Sequence, residues 1–318
     1  METLNNLMTH HAVLGTSWLW AIFAVVIFVL LFLDLCVFHR HAEDPKISET
    51  FKLSAYYILI ALIFGLFIIY ERGTSAGLLY YTGYLVEKSL SMDNIFVISL
   101  VFTSLKIPNK FQHRVLFWGV LGAIAMRAIM IFLGAELVAR FHWILYIFSL
   151  FLIYTGVKIF MPEKEELPIL ERPLFKLIRR KFHVTHEIVG EHFFIHKEHK
   201  VMITPLFFAL IIIEIMDVIF AVDSIPAIFL ITQDTYIVYT SNIFAILGLR
   251  ALYFLLAAAV NRFAYLKQAL SIILIFIGSK IFLPFIGIEV SALYSLIITF
   301  SIIFIGIALS LYKTRKTA

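Results

Sequence analysis

Residues 211–226 read I-I-I-E-I-M-D-V-I-F-A-V-D-S-I-P, an apolar run that contains three carboxylates, Glu214, Asp217 and Asp223. Carboxylates spread through an apolar run are not typical of a helix in a soluble protein. Inside a bilayer each charge is expensive, and ionisable residues there usually line a cavity or a solute path. The stretch therefore predicts a functional site within a membrane-spanning helix.

A weaker copy of this stretch lies upstream, where residues 87–97 read E-K-S-L-S-M-D-N-I-F-V. When Asp93 is aligned with Asp223, Glu87 falls on Asp217. We interpret the two stretches as related halves of one binding site.

The composition also indicates a membrane protein. Of the 318 residues, 62% are hydrophobic and 15% are charged, whereas a soluble domain is about one-quarter charged. The mean hydropathy is +0.96. The net charge of +5 is explained by Lys and Arg on one membrane face, so we expect no nucleic-acid partner. The single cysteine, Cys36, excludes an intramolecular disulfide, and the N-terminus does not resemble a cleaved signal.

Nine apolar segments are expected to cross the membrane, as an all-α polytopic helix bundle that forms a single transmembrane domain over residues 1–318. A span takes about 20 residues, and two of the segments are unusually long. The segments are residues 17–38, 54–70, 77–104, 115–135, 142–161, 201–232, 237–260, 268–284 and 290–312.

Lys and Arg are distributed unevenly among the connections between these segments. Nineteen of them lie in alternate loops and in the C-terminal tail, whereas the other connections contain only Arg72 and Arg140. The positive-inside rule therefore predicts an external N-terminus and a cytoplasmic C-terminus, in agreement with an odd number of spans.

Two copies of a three-helix unit follow one another, at residues 77–162 and 201–284, with a cytoplasmic loop at 163–200 between them. Each copy contains acids, then an arginine, Arg127 or Arg250, and then the pattern G-x-K-I-F-x-P. The predicted topology makes the copies inverted. Inverted repeats place a binding site near the membrane midplane, on interrupted helices.

The polar groups of the two acidic stretches predict an oxygen-rich cage, which suits Mg²⁺, Ca²⁺ and Mn²⁺. Pro226 predicts a helix break beside Asp223, and a break there would let the carboxylates converge. The predicted metal ligands are Glu87, Asp93, Asn94, Glu214, Asp217, Asp223 and Ser224.

Three cationic residues within the spans, Lys88, Arg127 and Arg250, are candidate counter-ions or gates. The alternative is that the acids merely pair with them, although bare pairing at such depth contributes little stability. Enzyme motifs such as GxGxxG, a Walker loop, HExxH and GxSxG are absent, so we predict no enzyme and no cofactor. Uphill transport would then need an ion gradient.

The loop at 163–200 carries five histidines. His192 and His196 would share a face if this segment were helical, and could then hold a transition metal or sense pH. A solvated connector is the alternative. The five are His183, His186, His192, His196 and His199.

Long motifs resemble those of the TerC family: E-K-S-L-S-M-D-N at 87–94, D-V-I-F-A-V-D-S-I-P-A-I-F at 217–229 and S-N-I-F-A-I-L-G-L-R-A-L-Y-F-L at 241–255. E-H-F-F at 191–194, with T-P-L at 204–206, is similar to its Alx branch. The resemblance covers roughly residues 77 to 284 and implies a bacterial inner-membrane protein that exports divalent metal, chiefly Mn²⁺, with a link to alkaline pH. It also implies the acidic set above as the metal site.

We therefore expect a secondary Mn²⁺ exporter, with proton counter-transport as the coupling hypothesis, whose partners are the metal ion and membrane lipid. Two alternatives stay open. One is a transporter of an organic cation or amino acid, and the other is a membrane sensor or assembly protein with a structural ion site. The sequence does not distinguish Mn²⁺ from Ca²⁺ or Mg²⁺.

Overall fold

A computed structural model describes residues 2–36, 47–160, 185, 188–197, 200–256 and 265–317. Within these ranges the chain is helical apart from short turns and a two-stranded sheet, which confirms the all-α prediction. The chain divides into two compact units, Met1–Asp44 and Pro45–Ala318. The first contains one long helix, and the second contains the other elements.

The described ranges contain ten α-helices, two strands and one 3₁₀ turn. They are α1 (Glu2–Cys36), α2 (Ile47–Arg72), α3 (Thr74–Ser104), α4 (Asn109–Arg140), α5 (Ile144–Phe160), β1 (Phe194–Lys197), β2 (Lys200–Ile203), α6 (Pro205–Ile231), α7 (Thr235–Leu247), α8 (Leu249–Leu256), α9 (Leu266–Lys280), the 3₁₀ turn Leu283–Ile286 and α10 (Ala292–Thr317).

Six helical segments in the described part of the chain are long and apolar enough to cross a membrane, and two further apolar helices are shorter. The chain is therefore a multi-pass membrane protein. α3 has sufficient length but contains Glu87, Lys88 and Asp93 near its middle. The number of nine spans and the inversion of the repeats remain predictions.

The two helices that carry the acidic stretches, α3 and α6, pack directly against each other. α4 packs against α6 and α7, and α3 also packs against α7. Glu87, Asp217 and the arginine of the first repeat are thereby brought to the same helix junction. This arrangement follows from burying apolar helix faces, since each of these helices is apolar around most of its circumference.

The predicted break at Pro226 is wrong, because α6 runs without interruption from Pro205 to Ile231. An internal proline removes one backbone donor, and packing against neighbouring helices in a membrane protein can compensate for this loss. The segment 237–260, predicted as one continuous span, is interrupted in its described part at Gly248, between α7 and α8.

The segment before α6 forms an antiparallel hairpin in which Phe194 pairs with Ile203 and His196 pairs with Val201. His192 precedes the first strand and His196 lies within it, so the helical condition under which the two histidines would share a face is not met. The other three histidines of this loop, His183, His186 and His199, lie outside the described residues.

α5 and α9 cross in antiparallel fashion at two glycines. A Cβ atom on Gly156 would lie 2.7 Å from Cγ1 of Ile275 and 2.9 Å from the Ser271 carbonyl oxygen. A Cβ atom on Gly278 would lie 3.0 Å from Cγ1 of Ile153 and 2.8 Å from the carbonyl oxygen of Ser149.

These contacts are reciprocal. The triplet Ser149, Ile153 and Gly156 on α5 has the same residue types and spacing as Ser271, Ile275 and Gly278 on α9, and each glycine contacts the Ser–Ile pair of the other helix. Such pairing is the pattern expected at a two-fold contact.

Replacement of Gly156 or Gly278 by alanine is expected to lower the unfolding midpoint of the purified protein in detergent, because overpacking typically costs about 1–3 kcal/mol. Gly119→Ala is the control, since its Cβ would meet nothing closer than 3.7 Å. Equal midpoints for Gly156→Ala, Gly278→Ala and the control would contradict a tight glycine crossing.

Candidate metal site

The guanidinium of Arg127, on α4, lies between the two acidic helices. Its Nε and Nη2 atoms donate to Oδ2 and Oδ1 of Asp217, on α6, at 3.1 and 2.8 Å. Its Nη1 atom donates to Oε1 of Glu87, on α3. The side chains of Arg127 and Glu87 are 1% exposed and that of Asp217 is 11% exposed. One buried cation therefore connects two carboxylates from different helices.

Asn242, on α7, completes the contacts of Glu87. Its Nδ2 atom donates to Oε2 of Glu87 at 3.0 Å, and its Oδ1 atom accepts from Nη1 of Arg127 at 2.9 Å. The amide of Asn242 therefore gives a hydrogen bond to the Glu87 carboxylate and takes one from the Arg127 guanidinium. Charged groups that are buried need such hydrogen-bond partners. Sequence reasoning did not single out Asn242. The feature that could have identified it is a polar amide side chain within the long apolar segment 237–260.

Three buried oxygen atoms near Asp217 have no hydrogen-bond partner among the described residues. They are Oδ1 of Asn94 and both carboxylate oxygens of Glu214. Asn94 donates from Nδ2 to Oδ1 of Asp217 at 3.3 Å, which leaves its own oxygen free. Glu214 lies one turn before Asp217 on the same helix. Unpartnered buried oxygens are costly and mark a place where a ligand is expected.

Glycines on α4 make room for Glu214. A Cβ atom on Gly122 would lie 2.1 Å from Oε1 of Glu214, and one on Gly119 would lie 4.0 Å from the same atom. The carboxylate therefore occupies space that any side chain at position 122 would fill. Gly122 was not identified from the sequence, because a lone glycine in an apolar helix has many structural explanations.

Asn94 and Asp217 also line a cavity with an empty volume of about 480 Å³, part of which is open to the outside. Gly119, beside Glu214, belongs to the same wall. The remaining lining consists of apolar side chains from α3, α4, α6, α7 and α8. The cavity is thus apolar along its walls and polar where it meets the charged cluster.

The other predicted ligands lie in different surroundings. Asp223 interacts with the Thr155 hydroxyl and with the charge of Lys158, both on α5, so it faces a different helix from Asp217. The Ser224 hydroxyl is buried without a well-formed hydrogen bond, near Glu87. The side chain of Asp93 lies outside the described residues.

The remaining candidate counter-ions, Lys88 and Arg250, have further contacts on other helices. Lys88 donates from Nζ to the backbone oxygen of Ala245 at 3.0 Å. Arg250 is 4% exposed, and its guanidinium lies 6.0 Å from the ring centroid of Phe117. Arg127 is the cation that pairs with a carboxylate on each of the two acidic helices, α3 and α6.

The described residues contain no group of three or more His, Cys, Asp or Glu side chains close enough to hold a metal. A donor set that includes the Asn94 amide, Glu214 and Asp217 has three side chains of hard oxygen donors, which suit Mg²⁺, Ca²⁺ or Mn²⁺. Such a set would bind metal only if Arg127 released Asp217.

Replacement of Arg127 by methionine should strongly destabilise the protein, because it leaves two buried carboxylates without their cation, at a cost of about 3–5 kcal/mol. The triple variant Glu87→Gln, Arg127→Met, Asp217→Asn removes all three charges and should recover most of the lost stability. The measurement is the unfolding midpoint in detergent. If Arg127→Met alone melts like the wild type, the guanidinium does not have this structural role.

Residues 72–318 match the family described as "Integral membrane protein TerC family". The chain is 48% identical over 294 residues to an "Uncharacterized membrane protein" of Rickettsia bellii (strain RML369-C), which covers 92% of this chain and 97% of that relative. It is 50% identical over 266 residues to "Uncharacterized membrane protein STKORF319" of Myxococcus xanthus, with 84% and 83% coverage.

It is also 45% identical over 275 residues to the "Putative membrane-bound redox modulator Alx" of Escherichia coli (strain K12), with 84% and 86% coverage. No solved structure matches the chain. The resemblance drawn from the sequence motifs is confirmed, and the chain belongs to the TerC family of integral membrane proteins.

Proposed function

We propose that this protein is a secondary transporter that exports a divalent metal ion, with Mn²⁺ as its cargo, from the cytoplasm across the bacterial inner membrane. The observation that carries the proposal is the unpartnered carboxylate of Glu214. It lies one turn from Asp217, beside a cavity that Asp217 itself lines. Oxygen atoms that lack hydrogen-bond donors close to such a cavity favour a cation as the missing partner.

The proposed binding step exchanges one cation for another. In this conformation Arg127 neutralises Asp217 through two hydrogen bonds. A divalent ion that binds Asp217, Glu214 and the Asn94 oxygen would take over this charge. Arg127 would then retain Glu87 and Asn242, with which it already has contacts. The exchange avoids leaving a bare carboxylate in the membrane, which would be costly.

The direction of transport rests on the position of the cavity. Its lining residues on α4 all precede Arg127, and those on α3 all follow Glu87. The cavity therefore extends from the charged cluster toward the Ser104 end of α3, which the distribution of Lys and Arg predicts to be cytoplasmic. Entry from that side supports export.

The choice of Mn²⁺ and the choice of a proton gradient are supported by arguments other than the geometry of the cavity. Mn²⁺ follows from the resemblance to the TerC family, since the oxygen donors alone accept several hard cations. Proton counter-transport is the proposed coupling, because carboxylates that release a metal can take up protons. A redox role, which the name of the E. coli relative suggests for that protein, finds little support in a chain with a single cysteine, Cys36.

Calorimetry on the purified protein tests the binding site directly. Mn²⁺ should bind the wild type, and Glu214→Gln and Asp217→Asn should each weaken binding at least tenfold, because each removes a charged oxygen ligand. Glu136→Gln is the matched control, since Glu136 is an exposed carboxylate on α4 that pairs with Arg140. Wild-type affinity in Glu214→Gln would remove the basis of the proposal.

A second candidate is an organic-cation transporter, which the apolar walls of the cavity favour. The same calorimetry distinguishes the two. Heat from amphipathic amines together with none from Mn²⁺ would select the organic cation.

A further inference from the structure

α7 and α8 belong to one apolar segment, Thr235–Leu255, yet α7 ends inside it at Leu247. The last carbonyl groups of a helix lack intrahelical donors, and together they carry a partial negative charge. The hydrocarbon region of a membrane has no water to satisfy them. A helix end at this position therefore needs a donor, and preferably a cation, from elsewhere in the protein.

Lys88, on the neighbouring helix α3, supplies this donor. Its Nζ atom lies 3.0 Å from the backbone oxygen of Ala245, in the last turn of α7. A lysine near a helix C-terminus can bond to the final carbonyls and also interacts favourably with the helix dipole. The contact therefore satisfies both requirements of the helix end.

Gly248 fits this contact closely. A Cβ atom at position 248 would lie 2.9 Å from Nζ of Lys88 and 3.3 Å from Cβ of Tyr57. The backbone of Gly248 has φ −77° and ψ 0°, which residues other than glycine also adopt. The glycine is thus explained by the close approach of the ammonium group and not by its backbone conformation.

A second hydrogen bond joins α3 and α7, at the residue of α3 that precedes Lys88. Glu87 precedes Lys88 on α3, and Asn242 precedes Ala245 by three residues, about one turn, on α7. Asn242 donates to Glu87 at 3.0 Å while Lys88 donates to Ala245. Two adjacent residues of α3 therefore hold two successive turns of α7.

We propose that Lys88 is a positioning residue and that the carbonyl end of α7 is a binding site for a primary ammonium group, which the Lys88 side chain occupies. Lys88 holds α7 where Asn242 reaches Glu87 and Arg127. It acts on the metal site through α7 and does not bind the metal. Its effect on transport rests on the proposed function, whereas its effect on stability does not.

Chemical rescue tests this proposal without any metal. Lys88→Ala should lower the unfolding midpoint in detergent by roughly 3 °C, and propylammonium should restore at least half of the loss. Tetramethylammonium should restore none, because it has no N–H donor. Lys280→Ala, which removes a lysine from the last turn of α9, is the control and should not respond to propylammonium.

Three further variants separate the charge from the bulk of the side chain. Lys88→Met keeps the volume and should share the defect, whereas Lys88→Arg keeps a cationic donor and should retain most of the wild-type midpoint. Gly248→Ala should reproduce the defect by displacing the ammonium. Lys88→Ala combined with Gly248→Ala should be no worse than the more damaging single change, since both break one contact.

The proposal is overturned if Lys88→Ala is as stable as the wild type, if propylammonium restores nothing, or if the Lys88 and Gly248 effects are additive. In proteoliposomes, Lys88→Ala should lower the maximal rate of Mn²⁺ transport, with recovery in propylammonium. Absence of Mn²⁺ transport by the wild type would refute the proposed function, while the midpoint measurements would still decide the role of Lys88.

Discussion

The requirement that buried charge be compensated in a medium without water organises the centre of this protein. Arg127 is shared between Glu87 and Asp217, so three helices meet where one positive charge faces two negative ones. Asn242 supplies the remaining donor and acceptor. Within this trio the carboxyl groups outnumber the guanidinium by one, and Glu214 adds a further carboxyl group nearby. A centre with such a surplus is suited to receive a cation.

Small residues let polar groups reach this centre. Gly122 leaves room for the Glu214 carboxylate, Gly248 leaves room for the Lys88 ammonium, and Gly156 and Gly278 let α5 and α9 cross closely. Close backbone approach at small residues is a common basis of helix packing in membranes. In this chain it also makes space for the charged side chains near the site.

The membrane class and the convergence of the first and second acidic stretches could be predicted, because charges in apolar runs are rare and Glu87 and Asp217 aligned as a pair. The position of the helix break could not be predicted from the sequence. Pro226 was the obvious breaker, but tertiary packing keeps α6 continuous, and the break lies at Gly248 instead.

The separation of the carboxylates follows from the same continuity of α6. Asp217 and Asp223 lie six residues apart, which turns them to different faces of an uninterrupted helix, and Asp223 accordingly faces α5. The roles of Arg127 and Lys88 also differ, although both are cations in apolar spans. Arg127 binds side chains, whereas Lys88 binds a helix end, and only the packing of α7 decides between these outcomes.

The most direct test of the cation exchange is anomalous scattering from crystals of the protein grown with Mn²⁺. The account predicts a peak within about 2.0–2.6 Å of oxygen atoms of Glu214 and Asp217, the range of hard divalent cations, with the Arg127 guanidinium withdrawn from Asp217. A fully occupied Mn²⁺ site elsewhere, with Arg127 still bound to both Glu87 and Asp217, would contradict it.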